Sequence, residues 1–395
     1  MPSCRQKTRM EITSHDKCCY CGISQEELNA LHTFGFLRSK RYQRGKALEN
    51  EHLDPFRPGK KNEINLAKAC YLCNNAKNDI VSAVDFKAYW AKGIRDYYNR
   101  LLEAQAAILE AGREFKGAKP FHPKGSVKIL FADLLNTEFP LTYNAILEAI
   151  KSYGYTTALV SGCKEPFIRD FARIQVDSNL FVQFVFDPDY LRLERYVNLK
   201  TDPLDYSRYL SKYTEKDSDL IIDGGNVLLH GEFAFVTSKI FIDNHSLDFA
   251  ELYKQLCHAL AKKVVLVPYE AHDYAGHIDT YMRIINDDTV FVCKGDTTTV
   301  PALNAQTGKK WKQVELPYYE VSRKADKEGI DCTGLYINYL ELPNVVLVPQ
   351  FGHKKDEPAR ELIEKHLNKP AKSIDCKALA KKGGLLNCIA AVYYI

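Results

Sequence analysis

From Val127 onward the chain repeats one texture, and this most limits what it can fold into. A short β-branched apolar run is followed by an amphipathic stretch of helical period and then by another apolar run, on a loose spacing of about 50 residues. The runs are "VKILFADL", "TTALVSG", "LFVQFVF", "DLIIDGGNVLLHGEFAFV", "KVVLVPY", "TVFVCKG", "LYINYLEL" and "NVVLVPQFG". "TYNAILEAIKSYG", "LDFAELYKQLCHALAKK" and "DEPARELIEKHLN" are the helical stretches between them. A doubly wound parallel sheet requires regular single strands between helices and a nucleotide-binding glycine loop, and neither is present. The recurrence instead predicts a radial arrangement of small α/β modules, with polar residues at strand ends converging on a central site.

The first third reads differently. Residues 1–80 are turn-rich and cysteine-bearing, and residues 81–124 carry a helical period that ends in the polar "KGAKPFHPKG". Three parts are therefore expected: a small module at 1–80, a helical connector and linker at 81–124, and an α/β region at 125–395. Charge follows the same division. Residues 1–124 hold 22 Lys and Arg against 14 Asp and Glu, whereas the remainder holds 32 against 36. A basic module favours polyanions through phosphate neutralisation, though a solvated basic face without a partner has the same composition. No apolar run approaches the ~20 residues needed to span a bilayer, and the charged start "MPSCRQKTRM" lacks the apolar core of a secretion signal. A reducing, cytoplasmic setting is expected, in which the 12 cysteines act as ligands, nucleophiles or core residues rather than as disulfides.

Cys18-x-x-Cys21 and Cys70-x-x-Cys73 are two short-loop thiolate pairs, the ligand spacing of a tetrahedral structural zinc site. Cys4 and Cys19 lack that spacing. Around the pairs stand "ENEHLDP", "INLAKAC" and "LCNNAKND", in that order. Residues 15–80 thereby resemble the zinc-stapled HNH endonucleases, which implies a ββα-metal module. The resemblance makes Glu51 a metal ligand, His52 the general base, Asn65 the residue orienting that base and Asn74 a second metal ligand, with Mg²⁺ or Mn²⁺ as the ion and DNA as the partner. Phosphodiester hydrolysis needs a base near a water and a cation to stabilise charge at phosphorus. "RSKRYQRGK" and "RPGKK" could track a nucleic-acid backbone or be solvated loops. A zinc-stapled module that binds DNA without cutting is the alternative.

Four segments of the α/β region are unusually polar where strands should end: "EPFIRDFA", "IIDGGNVLL", "YAGHIDTYM" and "GGLLNCIAA". Singly they read as a surface ion pair, a turn, a strand-end histidine and a glycine turn. Taken in this order, and with "YINYLELPNVVLVPQFG" followed by "DEPA", they resemble the guanidine-modifying pentein superfamily, nearest its agmatine deiminases and bacterial peptidylarginine deiminases. The resemblance implies an α+β chain whose residues 125–395 form a five-module α/β propeller. It makes Cys388 the nucleophile, His277 the general acid/base, Asp279 a guanidinium ligand, and Asp170 and Asp223 the other two carboxylates, with no cofactor. The implied substrate is a guanidino small molecule or a protein arginine. This chain has Asp223 where the agmatine group often has Glu, and Gly383, Gly384, Leu385, Leu386 and Asn387 where the group has three glycines and a histidine before the nucleophile. An amidinotransferase shares the same core residues. Cys163, Cys257, Cys293, Cys332 and Cys376 lack comparable neighbours and read as packing residues.

Overall fold

The computed structural model describes residues 16–37, 45–53, 66–78, 80–121, 123–192, 197–202, 210, 212–269, 275–319 and 331–395. Asn65 and most of the basic stretch 38–46 lie outside them. The chain divides into two compact units, residues 1–109 with 270–272 and residues 110–269 with 273–395. Among the described residues no helix is long and apolar enough to cross a membrane.

The first unit contains α1 (Gln25–Thr33), a hairpin of β1 (Glu49–His52) and β2 (Leu66–Ala69), then α2 (Tyr71–Lys77), α3 (Ala83–Tyr89) and α4 (Ala91–Glu114), whose last turn belongs to the second unit. α1 starts at a capping box. Ser24 Oγ accepts from Glu27 N at 3.1 Å, and Glu27 Oε2 accepts from Ser24 N at 2.7 Å, so two otherwise orphaned donors are satisfied reciprocally. The same Glu27 receives a bidentate Arg95 fork at 2.7 and 3.0 Å, which ties α4 to α1. β1 and β2 pair antiparallel with Glu51 opposite Ala67, and α2 follows β2 directly, so strand, strand and helix succeed one another after α1.

Among its described residues the second unit holds five three-stranded sheets with helices between their strands. They are formed by β17 (Ala391–Tyr394), β3 (Val127–Ala132) and β4 (Thr156–Val160); β5 (Ile174–Gln175), β6 (Leu180–Val185) and β7 (Thr214–Ile221); β8 (Leu228–His230), β9 (Phe233–Thr237) and β10 (Lys263–Val267); β11 (Met282–Asn286), β12 (Thr289–Cys293) and β13 (Lys312–Leu316); and β14 (Leu340–Glu341), β15 (Val346–Gln350) and β16 (Ala371–Asp375). In every sheet the first-named strand runs antiparallel to the middle one, and the middle one runs parallel to the third. A parallel pair needs a crossover. Helices Pro140–Ile150, Phe249–Leu260, Thr299–Thr307 and Asp356–Leu367 lie in four of these connections. The final strand β17 pairs with β3, so the first and last parts of this unit share a sheet.

Each middle strand carries the apolar run. β9 is buried at all five positions and β15 at four, because strands covered on both faces read as continuous hydrophobic stretches. The parallel outer strands β7 and β13 are mostly exposed and polar. "LYINYLEL" was expected to be one strand, but only Leu340–Glu341 pairs, and the residues before it form turns.

Candidate functional site

The residues immediately ahead of the first strand of each sheet share a local form. Ile168–Phe171 is a single helical turn before β5, Gly224–Asn226 and Ile278–Thr280 are single 3-10 turns before β8 and β11, and turns precede β14 and β17. One turn leading into a strand leaves its side chains at the strand end rather than in the ladder. These five lead-ins carry Asp170, Asp223, His277 with Asp279, Asn338, and Cys388.

The structure brings these residues together. His277 is buried between two carboxylates, its Nε2 2.9 Å from Asp223 Oδ2 and its Nδ1 3.5 Å from Asp170 Oδ1. Asn387 Nδ2 donates to Asp279 Oδ2 at 2.6 Å, Arg169 N donates to the Cys388 carbonyl at 3.0 Å, and Cys388 Sγ donates to Asn338 Oδ1 at 3.4 Å. Packing around them leaves no room for side chains on two glycines. A Cβ on Gly225 would lie 2.6 Å from both Asp170 Oδ1 and His277 Nδ1, and one on Gly384 would lie 2.3 Å from the Phe167 ring.

The electrostatics follow from crowding acids in a dry place. Burial alone would lower the His277 basicity, but Asp170 and the Asp223 hydrogen bond outweigh it and push the imidazole up to about 10, so the ring is a cation at neutral pH. Burial pushes Asp170 up to about 7, with Asp223 and Asp279 adding to the rise against His277. The Cys388 thiol is pushed well above its ordinary value by burial and by Asp279 and Asp170. Among the described residues, Asp170 Oδ1 and Asp279 Oδ1 are buried and accept no hydrogen bond. Asp279 Oδ1, and Asp170 Oδ1 with only the 3.5 Å approach of His277 Nδ1, suit a ligand rich in N–H donors.

A family model of the Porphyromonas-type peptidyl-arginine deiminases matches residues 142–392. The chain belongs to this family. Solved structures with a similar fold include an agmatine deiminase of Enterococcus faecalis, 16% identical with a TM-score of 0.55 over 72% of this chain and 97% of that one. Another is an agmatine deiminase of C. jejuni with substrate bound, 18% identical with a TM-score of 0.54 over 70% of this chain and 96% of that one. No curated protein sequence matches the chain.

Within this deiminase-family region, sequence reasoning missed three residues. Glu165 is buried, and burial with Asp170 and Asp223 pushes it up to about 8. Tyr190 donates to Asp223 Oδ2 at 3.5 Å, the oxygen that also faces His277. Asn338 was quoted in "YINYLEL" without a role; the recurring lead-in position would have singled it out in its sheet. Of the five cysteines expected to be packing residues, Cys163, Cys257 and Cys376 are buried, whereas Cys293 and Cys332 are partly exposed. Cys257 and Cys376 are 1% and 0% exposed, and burial raises both thiols above their usual range.

In the first unit, Cys18, Cys21, Cys70 and Cys73 form one buried group whose sulfurs all lie within 4.8 Å of one another. Local geometry explains the convergence. Gly22 adopts a positive φ of 76° and its N–H bonds the Cys18 carbonyl at 2.9 Å, closing the first knuckle. Cys70 is the N-cap of α2, with its sulfur 3.4 Å from Cys73 N. The Cys21 and Cys70 sulfurs are 3.7 Å apart, and tetrahedral Zn–S bonds of about 2.3 Å place ligand sulfurs about 3.8 Å apart. The four thiols fit zinc.

β1 alternation buries Glu51 and exposes His52. α2 docks on β1 through two polar pairs: Lys77 Nζ lies 2.7 Å from Glu51 Oε1, and Asn74 Nδ2 donates to Glu49 Oε2 at 2.7 Å. Glu51 and Asn74, expected as partners on one ion, thus each engage another residue. Lys77 and Tyr20 both meet Glu51 at Oε1, and Asn74 is engaged through its nitrogen. Among the described residues the four thiols are the one group of three or more Cys, His, Asp or Glu placed to hold a metal.

Proposed function

We propose that the second unit is a cysteine-dependent guanidine deiminase, its five sheets set radially as a propeller around the lead-in residues. The observation that carries this reading is the convergence of Cys388 on Asp170 and Asp279, with His277 held between Asp170 and Asp223, in a family of deiminases. A guanidinium is planar, permanently charged and presents only donors, so Asp170 and Asp279 are matched to it. Its entry places a cation beside Cys388, which lowers the thiol's hold on its proton; the proton leaves to solvent and the thiolate adds to the guanidinium carbon. The His277 cation gives its proton to one amino group, the C–N bond breaks, and ammonia departs from a thiouronium on Cys388. Neutral His277 then takes a proton from water, the hydroxide adds to the same carbon, and the C–S bond breaks to give a ureido product.

Agmatine, free arginine and arginine peptides, each incubated with the protein and read for ureido groups by colour, test this directly. At least one is expected to be turned over; failure of all three with folded protein would sink the reading. The profile of kcat/KM against pH is expected to be bell-shaped. Asp170 must be anionic to hold the substrate, so activity falls below about 7, and His277 must be protonated to serve as acid, so it falls again above about 10.

The first unit supports a second reading: a zinc-stapled ββα nuclease acting on DNA. The β1–β2 hairpin that leads directly into α2 favours it, together with the second oxygen of Glu51, the amide oxygen of Asn74 and the exposed His52. Tyr89, Trp90 and Tyr97 are exposed aromatic residues of the kind on which nucleic-acid bases stack. A divalent ion held by Glu51 and Asn74 would stabilise negative charge on phosphorus and the leaving oxygen. In that arrangement His52 takes the proton of the attacking water. Plasmid nicking is expected with Mn²⁺ or Mg²⁺ and is expected to disappear in His52→Ala with zinc content intact. Binding without nicking would assign the unit to DNA tethering.

A further inference from the structure

We propose that the side chains of Arg169 and Arg283 hold a compact monovalent inorganic anion, of the kind chloride represents, in the second unit. Arg169 immediately precedes Asp170 on its helical turn, and Arg283 stands on β11, which follows the turn of Asp279. The site uses neither the nucleophile nor the carboxylates, so it stands apart from the guanidine chemistry.

Both guanidiniums lack the acids that normally accompany an arginine away from water. Arg283 is 6% exposed and lies over the Tyr339 ring, 4.6 Å from its centroid, a contact that engages the face of the cation rather than its N–H groups. Among the described residues, Arg283 Nη1 and Arg169 Nε are buried without a hydrogen-bond partner, and so is the Tyr339 hydroxyl. Neither arginine forms an ion pair with a described carboxylate, whereas nearby Arg173 is met by Glu215 at 2.8 Å and by Asp217 at 3.1 Å. Burial and the Arg283 charge both disfavour the Arg169 cation, while Asp279 and Asp170 favour it from beyond ion-pair distance. An arginine stays protonated in a protein, so neither side chain can relieve this by losing its proton. Adjacent buried cations with bare donors are destabilising until something negative completes them. Water would satisfy the donors but not the charge, and the acids of the site act on the charge but not on the donors; an anion does both. Arg169 is only half-buried, which leaves an approach from solvent. A monovalent ion sheds its hydration at far lower cost than a divalent one, and a halide accepts from donors that do not form a single fork.

Thermal unfolding of the full-length protein tests this, followed by mass spectrometry as the alkylation of buried Cys257 and Cys376 on heating, so that the second unit is read by itself. Chloride replaces gluconate, an anion too bulky for the site, at constant ionic strength. Chloride is expected to raise the melting temperature along a saturating curve, by roughly 3 °C once its concentration exceeds the midpoint about tenfold. Arg283→Met keeps an unbranched side chain against Tyr339 but removes the charge and the donors, and is expected to abolish the chloride-dependent rise whatever its own melting temperature. Wild-type melting temperatures that are equal in the two salts, or that rise linearly without saturation, overturn the proposal. A saturating rise that survives in Arg283→Met overturns it as well. Should that variant not fold, anomalous diffraction from wild-type crystals grown in bromide decides: a peak within hydrogen-bond reach of Arg283 Nη1 supports the site, and its absence there overturns it.

Discussion

Cys388→Ala is expected to reduce ureido formation by at least about 10³-fold, the scale seen when a covalent nucleophile is removed. The protein should remain folded. The deleted atom bonds Asn338 Oδ1 at a long 3.4 Å, and that oxygen keeps its bond from Asn387 N. The backbone is held independently by Arg169 N on the Cys388 carbonyl and by β17 pairing with β3. Loss of one buried sulfur costs on the order of 1 kcal/mol, which lowers the melting temperature of a chain this size by only a few degrees. Cys376→Ala is the matched control: it is fully buried, has no catalytic neighbour, and is expected to leave turnover within about threefold of wild type. Full activity in Cys388→Ala would refute the covalent route; equal loss in both variants would point to misfolding.

The second large effect concerns zinc. Cys73→Ser is expected to take the metal content from one zinc per chain to none and to melt the first unit. That unit's core is small, built on Ile23, Leu28, Leu31, Phe34 and Phe86, and structural zinc sites supply about 10–16 kcal/mol of apparent binding free energy. Cys70 caps α2 and the Cys18 loop bonds β2 through Cys19 N to the Lys68 carbonyl at 2.8 Å, so removing the ion releases helix and hairpin together. Metal analysis combined with limited proteolysis checks this. Protease should digest the variant up to the neighbourhood of residue 110 and leave a resistant remainder that still forms ureido product. A zinc-free variant with an intact, protease-resistant first unit would show the thiols to be dispensable for folding.

Much of this was legible in the chain. The two cysteine pairs announced their cluster because short-range spacing fixes ligand geometry whatever surrounds it. The middle strands and the helices Pro140–Ile150, Phe249–Leu260 and Asp356–Leu367 were visible because burial imposes a period. The outer strands were not: β7 reads "TEKDSDLI" and β13 reads "KQVEL", and exposed strands carry no apolar signature. Asn338, Tyr190 and Glu165 were hidden for a different reason. Their roles come from contacts between segments far apart in sequence, and no local pattern marks an asparagine that meets a sulfur 50 positions away. Lys77 was overlooked likewise, since its partner Glu51 lies across the hairpin.

The turns that precede the first strands have an evolutionary consequence. The groups of the site are mounted on five short arms, His277 and Asp279 sharing one, while the sheets that carry the arms are held by ladders and apolar packing elsewhere. A point change on one arm therefore alters the reagent set without disturbing the frame, and five such arms can be varied one at a time. A scaffold built this way can drift from one acceptor or substrate to another through single substitutions, each leaving a foldable intermediate.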